Sequence, residues 1–167
     1  MHRARQVTAF TVGLLACSAL LGLGSAPLLA QVEGTARILD GQTLEVAGER
    51  FHLQGVRAPA LDQVCHRLGK PYPCGRVARA ALWDLVGGLD VTCTPAPDAA
   101  AADAAVPAIC TAGETRLNQR MVESGWALAD PAAGDAYGAF EEAAREAGRG
   151  LWRSEFDLPG APRPTAE

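Results

Sequence analysis

Positive charge is scarce in this chain once its first thirty residues are set aside. Arg3 and Arg5 are the only charged side chains in that segment. Of the 15 basic and 19 acidic residues in the sequence, 13 and 19 therefore remain, a formal charge of −6. Such a balance repels polyanions unless a local basic patch compensates, which argues against a nucleic-acid partner. Acid is missing from Met1 to Gln6, and charge of either sign is missing from Val7 to Leu23. A basic start, an apolar stretch and small residues ending at Ala30 form a secretory signal, with cleavage expected after Ala30. An uncleaved anchor is a rival reading, since Val7 to Ala30 is nearly long enough to span a bilayer. A lipidated Cys17 is another, though Leu15 fits that pattern badly. On the preferred reading no stable membrane span survives cleavage, and the mature chain is periplasmic or secreted.

Basic and aromatic residues are both missing from Pro95 to Ala105, a run of Ala, Asp and Pro. Asp98 and Asp103 lack the ligand spacing of a calcium loop, so the run reads as a solvated linker. Cys17 leaves with the signal, and Cys65, Cys74, Cys93 and Cys110 remain. An even number in an exported chain reads as two disulfides with three possible connectivities. The local pairs Cys65–Cys74 and Cys93–Cys110 are favoured, each closing a loop that contributes roughly 3 kcal/mol. Zinc held by Cys65, His66 and Cys74 lacks an evident fourth ligand. Cys65 and His66 as nucleophile and base would need adjacent loop residues to converge, and export favours a disulfide.

What is present reads as alternating short elements. Thr35 to Leu39, the turn pair Asp40-Gly41 and Thr43 to Val46 form a hairpin, and Phe51 to Val56 adds a third strand. Arg57 to Pro73 holds Pro59, Gly69, Pro71 and Pro73 and is expected to be irregular. Gly75 to Val86 is a helix with Val77, Ala81, Leu82 and Leu85 on its buried face, stopped by Gly87-Gly88. Leu89 to Thr94 and Val106 to Thr111 are the fourth and fifth strands. Leu117 to Ser124 and Ala136 to Ala147 are further helices, and Leu151-Trp152 docks back on the core. Trp126 and Trp152 are expected as core anchors. Arg76, Arg79, Arg145 and Arg149 are expected on helix surfaces. Residues 31–158 thus form one α+β domain, a five-stranded OB-fold barrel with three helices. A Pro-rich tail, 159–167, is expected to be disordered.

Five sequence words stand in a telling order. They are Ile38-Leu39-Asp40-Gly41-Gln42-Thr43-Leu44, Phe51 to Ala60, Tyr72-Pro73-Cys74-Gly75, Leu117-Asn118 to Gly125-Trp126-Ala127, and Gly150-Leu151-Trp152. Together they resemble the staphylococcal nuclease-like (thermonuclease) family over about residues 33–157. The resemblance implies the OB barrel and an ancestral activity: calcium-dependent hydrolysis of DNA and RNA. In active members carboxylates hold the ion, a glutamate orients the attacking water and two arginines brace the phosphate.

Carried over position by position, those roles are missing. A metal-binding carboxylate of the first motif falls on Gln42, leaving Asp40 as the motif's one acid. The first arginine falls on His52, which is shorter, mostly neutral at pH 7, and unable to fork onto a phosphate. A second metal-binding aspartate falls on Arg57, and the glutamate falls on Ala60. The second arginine belongs in the loop 95–105, which has none. Arg57 matters most for a metal. Unit charges about 4 Å apart interact by roughly 4 kcal/mol at an effective dielectric of about 20, and a divalent ion doubles that repulsion. Asp130-Pro131 to Asp135 adds negative charge where a phosphate would approach.

The expectation is an exported pseudoenzyme without an intact catalytic set, metal or cofactor, its calcium site lost. It would act as a binding or structural module. Its partner would be a protein or a small anion, taken in the hollow around His52, Arg57 and Asp40. The alternative is a divergent calcium-dependent phosphodiesterase.

Overall fold

A computed structural model describes residues 31–97 and 105–156. The expected signal, the Pro-rich tail, Asp98 and Asp103 lie outside the described residues. In chain order the elements are β1 (Val32–Ile38), β2 (Thr43–Val46), β3 (Glu49–Leu53), β4 (Val56–Arg57), β5 (Cys65–Arg67), β6 (Lys70–Tyr72), α1 (Cys74–Val86), β7 (Asp90–Pro95), β8 (Val106–Ala112), β9 (Thr115–Arg116), α2 (Leu117–Glu123), β10 (Leu128–Ala129) and α3 (Gly138–Glu146). Short 3-10 turns occupy Pro131–Ala133 and Gly150–Arg153.

Strands run β3-β2-β1-β7-β8 as antiparallel neighbours, and β3 then pairs with β8 in parallel, Phe51 beside Val106 and Leu53 beside Ala108. The result is a closed, five-stranded mixed barrel with three helices, the expected OB-type α+β fold. Side chains alternate along each strand. Leu44 and Val46 of β2, Phe51 and Leu53 of β3, Val91 and Cys93 of β7, and Ala108, Cys110 and Ala112 of β8 are all buried. Met121 and Val122 of α2 and Leu82 of α1 complete that core.

Closure of the barrel depends on one buried polar side chain. Asn118 of α2 accepts from Cys110 N at 2.9 Å and donates to Ala108 O and Gln54 O, each at 3.0 Å. It thereby joins β8, the end of β3 and α2 at the parallel seam. Three partners offset most of the penalty of burying an amide.

The helices hold small surprises of register. On α1 the buried stripe is Ala78, Leu82 and Val86, with Ala81 and Leu85 partly covered, while Val77 faces a groove described below. Gly87 ends the helix in the left-handed conformation at φ 60°, its N–H on Trp83 O. On α3 only Ala144 is fully buried. Tyr137 and Phe140 pack against the core edge, and Ala147 is exposed.

Both local disulfides are present, Cys65–Cys74 with 5.6 Å and Cys93–Cys110 with 4.1 Å between Cα atoms. Cys93 and Cys110 lie directly opposite in the β7–β8 ladder. Such bonds belong to an oxidising environment. Among the described residues no helix is long and apolar enough to cross a membrane.

The loop 57–73 departs from expectation. Its second half is a regular hairpin, with Cys65 opposite Tyr72 and Arg67 opposite Lys70 around the turn Leu68-Gly69. Pro71 is tolerated because the ladder has only two strands, where it stands opposite His66. A two-residue turn with both central residues at positive φ (Leu68 53°, Gly69 71°) has the backbone twist that strands prefer.

Candidate functional site

The hollow expected from the sequence begins at the β1–β2 connection. Asp40 Oδ1 accepts from Gln42 N at 2.8 Å and Thr43 N at 2.7 Å, a side-chain-closed turn. Gly41 is required there, because a Cβ would sit 2.8 Å from the Ala58 Cβ and 2.9 Å from the Ala78 Cβ. The turn is thus pressed against both the segment after β4 and helix α1. Gln42 reaches across that contact, its Oε1 accepting from Ala58 N at 2.6 Å.

The structure brings Asp40, Gln42 and the backbone at 57–58 together and leaves the other positions at the margin. His52 is half-buried on β3, opposite Thr43, and its ring makes no hydrogen bond among the described residues. Ala60 is exposed; its N–H donates to Gln63 Oε1 at 3.3 Å, and its carbonyl lies where a Cβ on Gly75 would fall.

Arg57 turns to Asp130, one of the acids of the 130–135 segment. Its Nε lies 3.8 Å from Asp130 Oδ1, with side chains 36% and 31% exposed. The pairing follows from the small β4–β10 ladder, where Arg57 stands opposite Leu128. Asp130 also closes the following 3-10 turn by accepting from Ala132 N at 3.1 Å. Arg57 lines a cavity of about 360 Å³ with Glu141, Glu142 and Arg145, where charges of both signs meet. Glu141 Oε2 accepts from Ala129 N at 2.6 Å, and its Oε1 pairs with Arg145.

The calcium that the family resemblance implies does not fit this donor set. Asp40 gives one carboxylate with an oxygen already holding two N–H groups, Gln42 spends its amide oxygen on Ala58, and Arg57 contributes a cation. A hard divalent ion wants several free, preferably anionic oxygens. Among the described residues no group of three or more His, Cys, Asp or Glu is placed to hold a metal. Cys65 and Cys74 are joined to each other, so neither offers a thiolate.

A larger concavity lies elsewhere. The β5–β6 hairpin and the turn at Gly150–Arg153 form the walls of a groove of about 540 Å³ that includes Arg67, Lys70, Tyr72, Trp126, Arg153 and Ser154. Trp126, expected as a core anchor, is among the lining residues. It is half-buried and packs against both hydrophobic clusters. Trp152, the other expected anchor, packs edge-on to Phe156 at 5.5 Å and under Arg145 at 4.5 Å. Of the arginines expected on helix surfaces, Arg79 donates to Ile38 O at 3.1 Å and Arg145 pairs with Glu141 and Glu142.

Fold and hollow together define an OB-type barrel protein in whose hollow Asp40 and Gln42 are hydrogen-bonded to its own backbone, while the buried Arg57 Nε has only the Asp130 carboxylate at 3.8 Å. No protein-family model matches the chain. Among curated proteins it is similar to the succinoglycan biosynthesis protein ExoI of Rhizobium meliloti (strain 1021), with 31% identity over 157 residues, covering 92% of this chain and 82% of the relative. The chain belongs to the family of that protein.

Proposed function

We propose that this protein is a non-hydrolysing binding module on a staphylococcal nuclease-like barrel, working in the periplasm or outside the cell. One observation carries the reading: Gln42, at a metal-ligand position, is a structural strut holding Ala58 N at 2.6 Å. The engagement of Asp40 Oδ1 and the Arg57–Asp130 pair point the same way. The relative's name connects that protein with succinoglycan biosynthesis, which supports a role beside polysaccharide assembly over one in nucleic-acid turnover. A partner of small-anion or protein character suits the module, and the acidic mature chain disfavours nucleic acid.

The test is an incubation of the purified chain with single-stranded DNA and with RNA, in calcium and then in chelator. The expected result is no cleavage above the protein-free control. Chelator-sensitive cleavage that disappears in Asp40→Asn would establish the divergent phosphodiesterase instead. Restoring Gln42→Asp, Arg57→Asp, Ala60→Glu and His52→Arg together gives weak rescue at most, because the 95–105 segment supplies no arginine.

A further inference from the structure

The groove between the hairpin and the Gly150–Arg153 turn is built as a site. Its walls are tied together in three ways. The Cys65–Cys74 disulfide closes the base of the hairpin. His66 and Glu155 exchange backbone hydrogen bonds of 2.9 and 2.7 Å, joining the hairpin to the chain after the turn. Tyr72 Oη and Ser154 Oγ meet at 2.7 Å, which fixes the Tyr72 ring in the wall.

Its charge is one-sided. Arg67 and Lys70 stand opposite each other on the hairpin, and Arg153 faces them from the other wall. No carboxylate lines the groove, and none of the three cations has an ion-pair partner among the described residues. Arg153 commits its Nε to Gly148 O, leaving its terminal nitrogens. This cluster sits on a chain of formal charge −6 after residue 30, so it forms a positive island in an acidic protein. At the hairpin tip Leu68 is 92% exposed and holds φ at 53°, a left-handed conformation costly for a leucine. An apolar residue kept strained and exposed at the lip of a groove has no packing role there.

We propose that the groove binds a carboxylated oligosaccharide. The inference rests on the reading of the protein as a non-hydrolysing module beside polysaccharide assembly, and it names the ligand class. Tyr72 and Trp126 offer apolar ring surface for the C–H faces of a pyranose, and the three cations take its carboxylates. Charge density favours a glycan over a nucleic acid. A nucleic-acid strand carries a negative charge about every 3.4 Å, whereas a carboxylated glycan carries at most one per pyranose, with an apolar ring face between successive charges. Three cations interspersed with two aromatic rings match that alternation of charge and ring face.

The experiment is calorimetric titration of the full exported chain with oligogalacturonate of defined length at low ionic strength. Parallel arms use a neutral cello-oligosaccharide, a single-stranded oligonucleotide and polyglutamate. The expected result is binding of oligogalacturonate, with the other three at least about tenfold weaker. The variant Arg67→Gln/Lys70→Gln changes two exposed residues. It should melt at the native temperature and lose about tenfold in affinity. Leu68→Ser should weaken binding without loss of stability. Absence of oligogalacturonate binding, affinity unchanged in the double variant, or equal affinity for oligonucleotide or polyglutamate would each overturn the proposal. Such a failure leaves the hydrolysis assay on DNA and RNA untouched, so the two readings fail separately.

Discussion

The hollow and the groove are both made of loops on one barrel, yet they treat their polar groups in opposite ways. In the hollow, Asp40 closes its own turn, Gln42 holds Ala58 and Arg57 leans toward Asp130. In the groove, Arg67, Lys70 and Arg153 have no acidic partner among the described residues. A polar side chain whose hydrogen bonds end on its own backbone has a structural task. Of the like charges in the groove only Arg153 makes such a bond, through Nε to Gly148 O, and gathering them costs stability, since like charges repel. Asp40 and Gln42 of the hollow thus serve the fold, and the proposed recognition surface lies in the groove, which takes Tyr72, Trp126 and Gly150 from three of the five sequence words.

That contrast can be broken or sharpened by substitution. The largest effect is expected at Asn118, whose amide serves the seam beside the hollow. Asn118→Ala should cost about 3 kcal/mol by leaving Cys110 N and the Gln54 carbonyl without their side-chain partner, while Ala108 O keeps the Gln54 N–H. Denaturant titration reads this as a lower midpoint. Next comes the pair Cys65→Ser and Cys74→Ser, which frees the hairpin. A loss of about 2.5 kcal/mol follows from the loop closed, together with loss of oligogalacturonate binding. If binding survived intact, the groove would owe nothing to its clamp.

Gln42→Ala is expected to cost about 1–2 kcal/mol, from the stranded Ala58 N–H, while ligand affinity stays unchanged. A stability-neutral result there would undo the assignment of Gln42 as a strut. The smallest effect concerns the barrel surface remote from both sites. A hydrogen bond from Arg37 holds the Glu45 carboxyl below its ordinary range, against an opposing desolvation, with help from Arg50. A carboxylate with a lowered folded pKa contributes stability above its unfolded value, about pH 4, and loses it as pH falls through the folded value. Unfolding curves of the native chain and Glu45→Gln should therefore differ slightly near neutrality and converge in acid.

Much of this was legible in the residues, for identifiable reasons. The barrel strands announce themselves by period-two burial, as in Thr43-Leu44-Glu45-Val46, and the turn pair Asp40-Gly41 marks the first connection. Gly87, Gly125 and Gly148 end or follow helices at positive φ, where a glycine signal is local and strong. The cysteine pairs follow from sequence proximity. What escaped was either masked by proline or long-range. The β5–β6 hairpin looked irregular because Pro71 falls within it, although Pro71 pairs with His66 in a two-stranded ladder. Arg57 with Asp130, and Asn118 with the seam, join distant stretches of chain, and no local pattern encodes such a meeting. Trp126 read as a core anchor and turned out to serve a wall of the groove as well.

The Cys65–Cys74 bond has a consequence in time. A freshly made chain still carrying two thiols at these positions lacks one of the three ties that hold the groove's walls together. On the proposed reading, full recognition competence follows oxidation, as a maturation event. A polypeptide kept reduced is then expected to hold a carboxylated glycan poorly.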